Sequence, residues 1–491
     1  MSATEVPLAG AALPAPPAIA EPASRGLLRR VVAYALSRGA TEGLLAVRGI
    51  LLAALLGPAA FGSWALLRLW MRFASLGGLG INRGLEFELL EPGGTRAGTC
   101  RSPAGVALGF LLLVGCGLAA AALVASFVAP SADIRLLLRG FAAASVSEAV
   151  YGYALVCLRV RGSLRRYAAL EAGTAALHLV GALALARIWG LGGACAGLAL
   201  GNLAGLAAAA RWVDLRPRWH PETLGRLLRL GVPLALASLV GTLLLTADRW
   251  VIAGWGGATM LGYYAFAGSV ATASTALALV IRTVVFTDVY GDAQSTGSAA
   301  AVRGHLDRAV LPFARLLPPV LGACSLVVGP VVAIGMPGYA PAIPSARLFF
   351  LGGAAMGIVN LASVGAVAAG LQRRLPLYAG LALALTIALS MSALGAGLGL
   401  EGVAAASFAG HLLLAAAILL LTVREGGLDR ARRRVAMALL PLVWCAGVVV
   451  LAGRLFPDYD PGSAALALAV YAALLLPIAP AWRAELQRVR R

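Results

Sequence analysis

Leu27–Ala65 reads LLRRVVAYALSRGATEGLLAVRGILLAALLGPAAFGSWA, and Leu227–Ala265 reads LLRLGVPLALASLVGTLLLTADRWVIAGWGGATMLGYYA. Set against each other, roughly a third of the positions are identical, on an Ala/Leu background that raises the figure. The shared turn carries more weight. Gly57-Pro-Ala-Ala-Phe-Gly62 and Gly257-Ala-Thr-Met-Leu-Gly262 each join two apolar runs through a short turn whose tight backbone needs glycine. A second match pairs LGGACAGLALGNL from Leu191 with LEGVAAASFAGHL from Leu400. The chain is therefore read as two six-span halves. An even number of spans separates matching elements, so the copies share one orientation and their pseudo-two-fold runs along the membrane normal. A cleft is expected between them.

Composition supplies the solvent. Of 491 residues, 60% are hydrophobic and 12% charged, and the mean hydropathy is +0.87, more apolar surface than a soluble core can hide. Runs of about 20 apolar residues, long enough to cross a bilayer, recur along the whole length. They predict an all-α polytopic membrane protein with about fourteen transmembrane helices, at 31–55, 59–81, 103–127, 136–158, 167–187, 190–211, 231–254, 259–285, 311–335, 346–371, 376–395, 399–423, 435–453 and 462–482. The predicted organisation is a disordered tail (1–26), a first six-helix bundle (27–212), a basic linker (213–230), a second six-helix bundle (231–423), a basic loop (424–434), two further helices (435–482) and a basic tail (483–491). The Ala/Pro-rich start lacks the basic n-region and long apolar core of a signal peptide.

The net charge of +19 comes from 40 basic residues, all Arg, and their placement orients the chain. Both tails and alternate breaks carry the clusters Arg25–Arg30, Arg83–Arg101, Arg159–Arg166, Arg211–Arg229, Arg303 and Arg308, Arg373 and Arg374, Arg424–Arg434 and Arg483–Arg491. The opposite breaks hold little beyond Arg187 and Arg454, with Arg135, Arg139 and Arg347 at span edges. By the positive-inside rule the clustered side is cytoplasmic, so both termini are expected on the cytoplasmic side of the cell (inner) membrane. Arginines scattered over juxtamembrane loops, without a recognition scaffold, do not describe a nucleic-acid binder. Six cysteines without CxxC spacing are read as packing residues, and no metal or other cofactor is expected.

LLGPAAFGSWALL with SLGGLGINRGL in the first half, LGVPLALASLVGTLLLTADRWVIAGWGGATMLGYYAFA opening the second, and GLEGVAAASFAGHLL near the twelfth span resemble one family. It is the polysaccharide-transporter branch, the O-antigen and exopolysaccharide flippases, of the multidrug/oligosaccharidyl-lipid/polysaccharide exporter superfamily. The resemblance covers about residues 27 to 423. It implies a V-shaped pair of bundles rocking between inward-open and outward-open states, carrying an undecaprenyl-diphosphate-linked glycan to the periplasmic leaflet. It also implies pathway partners, a polysaccharide polymerase and glycosyltransferases. Family members are not ATPases, and the chain has no GxxxxGK[ST] stretch.

Charges inside the spans are the candidate site. An Arg facing lipid at mid-bilayer costs about 2.5 to 3.5 kcal/mol on insertion scales, so these residues are expected to face the protein interior. Arg68 and Arg72 stand at i and i+4 on one helix face and need an anion or an acidic partner. Arg38 and Glu42 share a face of the first span, with Arg48 near the Arg38 side. Two readings stand: a structural Arg38–Glu42 pair, or a cationic cleft in which Arg38, Arg48, Arg68 and Arg72 hold the substrate diphosphate with guanidinium forks. Asp248 and Arg249 match Arg48 and Gly49 in the repeat, and with Glu42 they are read as a gate or an ion-pair staple. Glu148 is the candidate for proton or ion coupling, against a neutral hydrogen-bonded Glu. His178 and His411 are read as packing or interhelical hydrogen bonding ahead of metal binding. Three other functions compete. A lipid II flippase shares the architecture and cationic cleft, a drug/cation antiporter wants a carboxylate-rich cleft, and a membrane glycosyltransferase wants a large polar loop that the chain lacks.

Overall fold

A computed structural model describes residues 25–90, 101–161, 163–272, 274, 304–423 and 428–478, with 480, 482 and 487, and fourteen α-helices lie among these described residues. Of residues 25–38 only the backbone is described. The helices are α1 (Arg25–Ala74), α2 (Ile81–Leu90), α3 (Arg101–Val128), α4 (Ala132–Val160), α5 (Leu164–Ala209), α6 (Pro221–Leu244), α7 (Ala247–Trp255) and α8 (Gly257–Val270). They continue as α9 (Leu311–Gly335), α10 (Ile343–Ala368), α11 (Leu375–Gly395), α12 (Gly399–Val423), α13 (Leu428–Leu455) and α14 (Pro461–Leu474). All regular structure among the described residues is helical, and ten of these stretches are long and apolar enough to cross a membrane. The protein is a multi-pass membrane protein.

The glycine turns that pair in sequence also pair in backbone conformation. Gly57 (φ 74°) divides α1 into two arms, and Gly257 (φ 70°) takes the same left-handed region between α7 and α8. Gly190 (φ 55°) breaks α5, and its counterpart Gly399 (φ 58°) starts α12. Only glycine adopts positive φ without steric cost, which is why four isolated glycines locate the breaks. Pro58 follows Gly57 at the start of the second arm, where its missing N–H is no loss.

α1 packs against α4 and α5 in the first half, and α10 against α9 and α12 in the second. The halves meet along α1 with α8 and along α2 with α6. At the first contact the backbones touch: a Cβ on Gly62 would run into the Ala258 carbonyl, and one on Gly262 into the Pro58 carbonyl. At the second, Gly80 and Gly231 face one another with no room for a Cβ on either. An Arg226–Glu88 ion pair at 3.3 Å adds to this contact, and Arg159 (3.2 Å) and Arg83 (3.1 Å) both reach Glu86. The last two helices pack on α9, where the Tyr471 hydroxyl donates to the Pro319 carbonyl at 3.0 Å beside the paired prolines.

Two elements differ from their predicted form. The segment 213–230, expected as linker, carries a helix from Pro221, because His220 accepts from Thr223 N–H as an N-cap and Pro221 fits the first helical position. The span expected unbroken over 231–254 is divided at Leu245–Thr246 into α6 and α7. Thr246 Oγ1 donates to the Thr242 carbonyl (2.7 Å) and Arg249 Nη1 to the Leu245 carbonyl (3.0 Å), so side chains satisfy backbone acceptors beside the break.

Candidate functional site

The face of α1 that turns inward decides what the halves enclose. Past Gly57 it presents Phe61, Trp64, Arg68 and Arg72, spaced three to four residues apart so that all lie on one side of the helix. Before Gly57 the same wall carries Arg48, and α4 adds Glu148. Arg249 of α7 and Ser269 of α8 close it from the second half. The space they line opens to the outside and, with that opening counted, measures about 1210 Å³. Four guanidiniums face one carboxylate there.

Arg48 is the most confined of the four, 5% exposed, with its guanidinium 5.9 Å from the Trp64 ring centre. Its Nε and Nη1 are buried without a hydrogen-bond partner. None of the ion pairs among the described residues engages Arg48, Arg68, Arg72 or Arg249. A buried cation left unneutralised by its own chain is costly, and an anion from outside removes that cost.

Glu148 is held from behind. Its Oε2 accepts from Asn202 Nδ2 at 2.8 Å, which leaves Asn202 Oδ1 to accept from His178 Nε2 at 2.9 Å. Asn202 is completely buried and went unnoticed in the sequence. The signal that would have found it is the second repeat, where Asn202 aligns with His411, two polar residues in otherwise apolar runs.

A second cavity of about 1260 Å³ shares Arg72, Arg249, Gly268 and Thr272 with the first and extends into the second half. Glu42, Asp248, Asn360, Ser407 and His411 line it. Asp248 is 2% exposed and bound on both oxygens: Oδ1 accepts the Arg249 N–H (2.8 Å), and Oδ2 accepts Tyr264 Oη–H (2.7 Å) and Ser407 Oγ–H (3.2 Å). Repeat-related positions thus hold opposite charges on an aromatic partner sixteen residues ahead, Arg48 on Trp64 and Asp248 on Tyr264. No ion pair among the described residues joins Asp248 to an arginine of the first half. Arg38 is in α1, but its side chain is outside the described residues. His411 lines the second cavity whereas His178 bonds Asn202 in the first half, and no group of three metal-ligating side chains exists among the described residues.

No family profile matches this chain, and no curated protein sequence does. Solved structures do match. A structure described as the lipid II flippase MurJ in an inward closed conformation is similar over 93% of this chain and 99% of its own, at a TM-score of 0.69 and 12% identity. A multidrug resistance MATE family transporter of the MOP superfamily, inward-facing, matches over 82% of this chain and 98% of its own, at a TM-score of 0.64 and 16% identity. A MOP superfamily transporter from Pyrococcus furiosus, reported to have a binding pocket of reverse polarity, matches over 84% and 96%, at a TM-score of 0.53 and 16% identity. The chain has the fold these transporters share.

Proposed function

We propose that this protein is a flippase that moves an undecaprenyl-diphosphate-linked oligosaccharide, a polysaccharide repeat unit, from the cytoplasmic to the periplasmic leaflet of the inner membrane. The observation that carries this reading is the cavity between the halves, which Arg48, Arg68, Arg72 and Arg249 line with a single carboxylate, none of the four engaged by an ion pair among the described residues. A diphosphate presents oxygens to several guanidinium forks at once. The open mouth of the cavity leaves the sugars and the lipid tail free to extend out of it while the diphosphate sits among the arginines. Trp64 and Phe61 on the same wall offer apolar faces beside the cations, a surface on which a sugar ring can stack.

Transport follows from two halves that touch through narrow glycine contacts on either side of this cavity, Gly62 with Gly262 and Gly80 with Gly231. Small rotations separate one contact and tighten the other, and so move access to the cavity from one leaflet to the other. Glu148, tied to Asn202 and His178 but facing the arginines, is the group through which a proton or ion exchanges with cargo. Both termini are placed in the cytoplasm, with the polymerase and glycosyltransferases of the pathway as partners.

A second reading has its own observation. The likeness to the lipid II flippase covers 93% of the chain, against 82% for the MATE transporter, and lipid II flipping would use the same cationic cavity. A cation/drug antiporter is disfavoured by four arginines to one carboxylate in the first cavity. Replacing Arg68 and Arg72 together by Ala is expected to abolish glycan export while the protein stays inserted and abundant. Normal surface glycan in that double variant would overturn the cationic site. In a deletion strain, lipid-linked oligosaccharide should accumulate on the cytoplasmic leaflet; intact surface glycan without such accumulation would rule out this cargo. Loss of peptidoglycan precursor flipping, with glycan export normal, would select the second reading.

A further inference from the structure

Away from the cavity, one group of arginines is held in a fixed arrangement that none of the ion pairs among the described residues engages. It sits where α4 ends at Val160, α5 begins at Leu164 and the second arm of α5 ends at Ala209. The loop after α5 is pinned at three points. Arg161 Nη1 donates to the Trp212 carbonyl (2.8 Å), Tyr153 Oη–H to the Asp214 carbonyl (3.0 Å), and Arg218 N–H to the Gly105 carbonyl (2.9 Å). Gly105 and Gly109 let that loop lie directly on α3.

The pinned loop sets the half-buried Trp212 between two exposed guanidiniums, Arg166 at 5.8 Å and Arg211 at 5.4 Å from its ring centre. None of the ion pairs among the described residues includes Arg161, Arg166 or Arg211. The loop's own carboxylate, Asp214, accepts the Arg216 N–H at 3.2 Å. Arg211 Nε donates to the Ala208 carbonyl (3.2 Å), and a guanidinium stacked on an indole can still turn its remaining in-plane N–H groups toward phosphate oxygens. The site lies at the ends of membrane-spanning helices, with a Trp beside it, which is the level of phospholipid headgroups.

We propose that Arg161, Arg166, Arg211 and Trp212 form a binding site for the phosphodiester headgroup of an anionic phospholipid from the surrounding leaflet, a phosphatidylglycerol-type lipid. The site is separate from the cargo cavity and does not depend on what the cavity carries. It tethers the ends of α4 and α5 to the membrane surface while the bundle moves.

The test uses the full chain in detergent, with phosphatidylglycerol and phosphatidylcholine as probes and native mass spectrometry counting retained lipids. Wild type should retain phosphatidylglycerol over phosphatidylcholine. Arg166→Gln/Arg211→Gln, which leaves the three loop hydrogen bonds intact, should lower its apparent affinity about tenfold or more. Adding Arg161→Gln should lower it further. Arg48→Gln/Arg68→Gln in the cavity should leave it unchanged. The proposal is overturned if the boundary double variant retains phosphatidylglycerol as wild type does, if wild type holds both lipids equally, or if only the cavity variant loses the lipid. Displacement by inorganic phosphate alone at millimolar concentration would assign the cluster to soluble anions and overturn it as well.

Discussion

Substituting Arg48→Gln separates binding from stability. Arg48 is 5% exposed, stacks 5.9 Å over Trp64 and leaves Nε and Nη1 unpartnered. In the unloaded protein the substitution removes a buried, unneutralised charge, a change that is neutral or stabilising in comparable settings, offset by a cation–π contact of about 0.5 to 2 kcal/mol. The thermal midpoint should therefore move little. In the loaded protein the same change removes charge-assisted hydrogen bonds to a phosphate, about 1.5 to 3 kcal/mol in total. At about 1.4 kcal/mol per factor of ten, that is roughly a 10- to 150-fold weaker Kd. The assay is binding of a short-chain polyprenyl diphosphate to purified protein by calorimetry, beside a thermal unfolding curve of the same sample. An unchanged Kd refutes the assignment of Arg48 to the anion. A large loss of thermal stability refutes the argument that its charge is unneutralised.

Further outcomes follow from the packing. Gly62→Ala should cost about 1 to 3 kcal/mol, because its Cβ meets the Ala258 carbonyl, whereas Gly43→Ala, with open space around it, should cost nothing; chemical unfolding in mild detergent compares them. Asp248→Ala should destabilise by about 1 to 3 kcal/mol by stranding the fully buried Tyr264 hydroxyl, and the Asp248→Ala/Tyr264→Phe double variant should cost less than the sum of the singles. The Arg226–Glu88 pair between the halves is largely exposed on its Arg side, so a double-mutant cycle should give a coupling of about 0.2 to 1 kcal/mol that shrinks as salt is raised.

Much of this was readable from the chain because membranes make two signals loud. Apolar runs against Arg-rich breaks delimit spans, and glycines at Gly57, Gly190, Gly257 and Gly399 mark breaks that no other residue takes without strain. Arg48, Arg68 and Arg72 stood out for a related reason: a charge in an apolar run must face the interior. The quieter features were hidden by ordinary chemistry. Asn202 is neutral and short, and nothing around it in sequence points to Glu148 on α4 or to His178 on the other arm of α5. The break at Leu245–Thr246 lacks glycine and proline; it rests on Thr246 and Arg249 side chains bonding backbone carbonyls. α2 reads as a polar connection because INRGLEFELL is amphipathic, and its helix is stabilised by packing on α6. The partners of Asp248 come from Tyr264 and Ser407, residues whose proximity depends on how three helices cross.

The most direct test of the central claim is sidedness of transport in proteoliposomes. Purified protein is reconstituted with a fluorescent oligosaccharide on a polyprenyl diphosphate in one leaflet, and its appearance in the other is followed with a membrane-impermeant quencher. The account predicts transfer by wild type, loss of transfer in Arg68→Ala/Arg72→Ala, and no transfer of the same oligosaccharide on an uncharged polyprenol. Equal transfer of the charged and uncharged lipids, or full transfer by the double variant, would contradict a cavity built to hold the diphosphate.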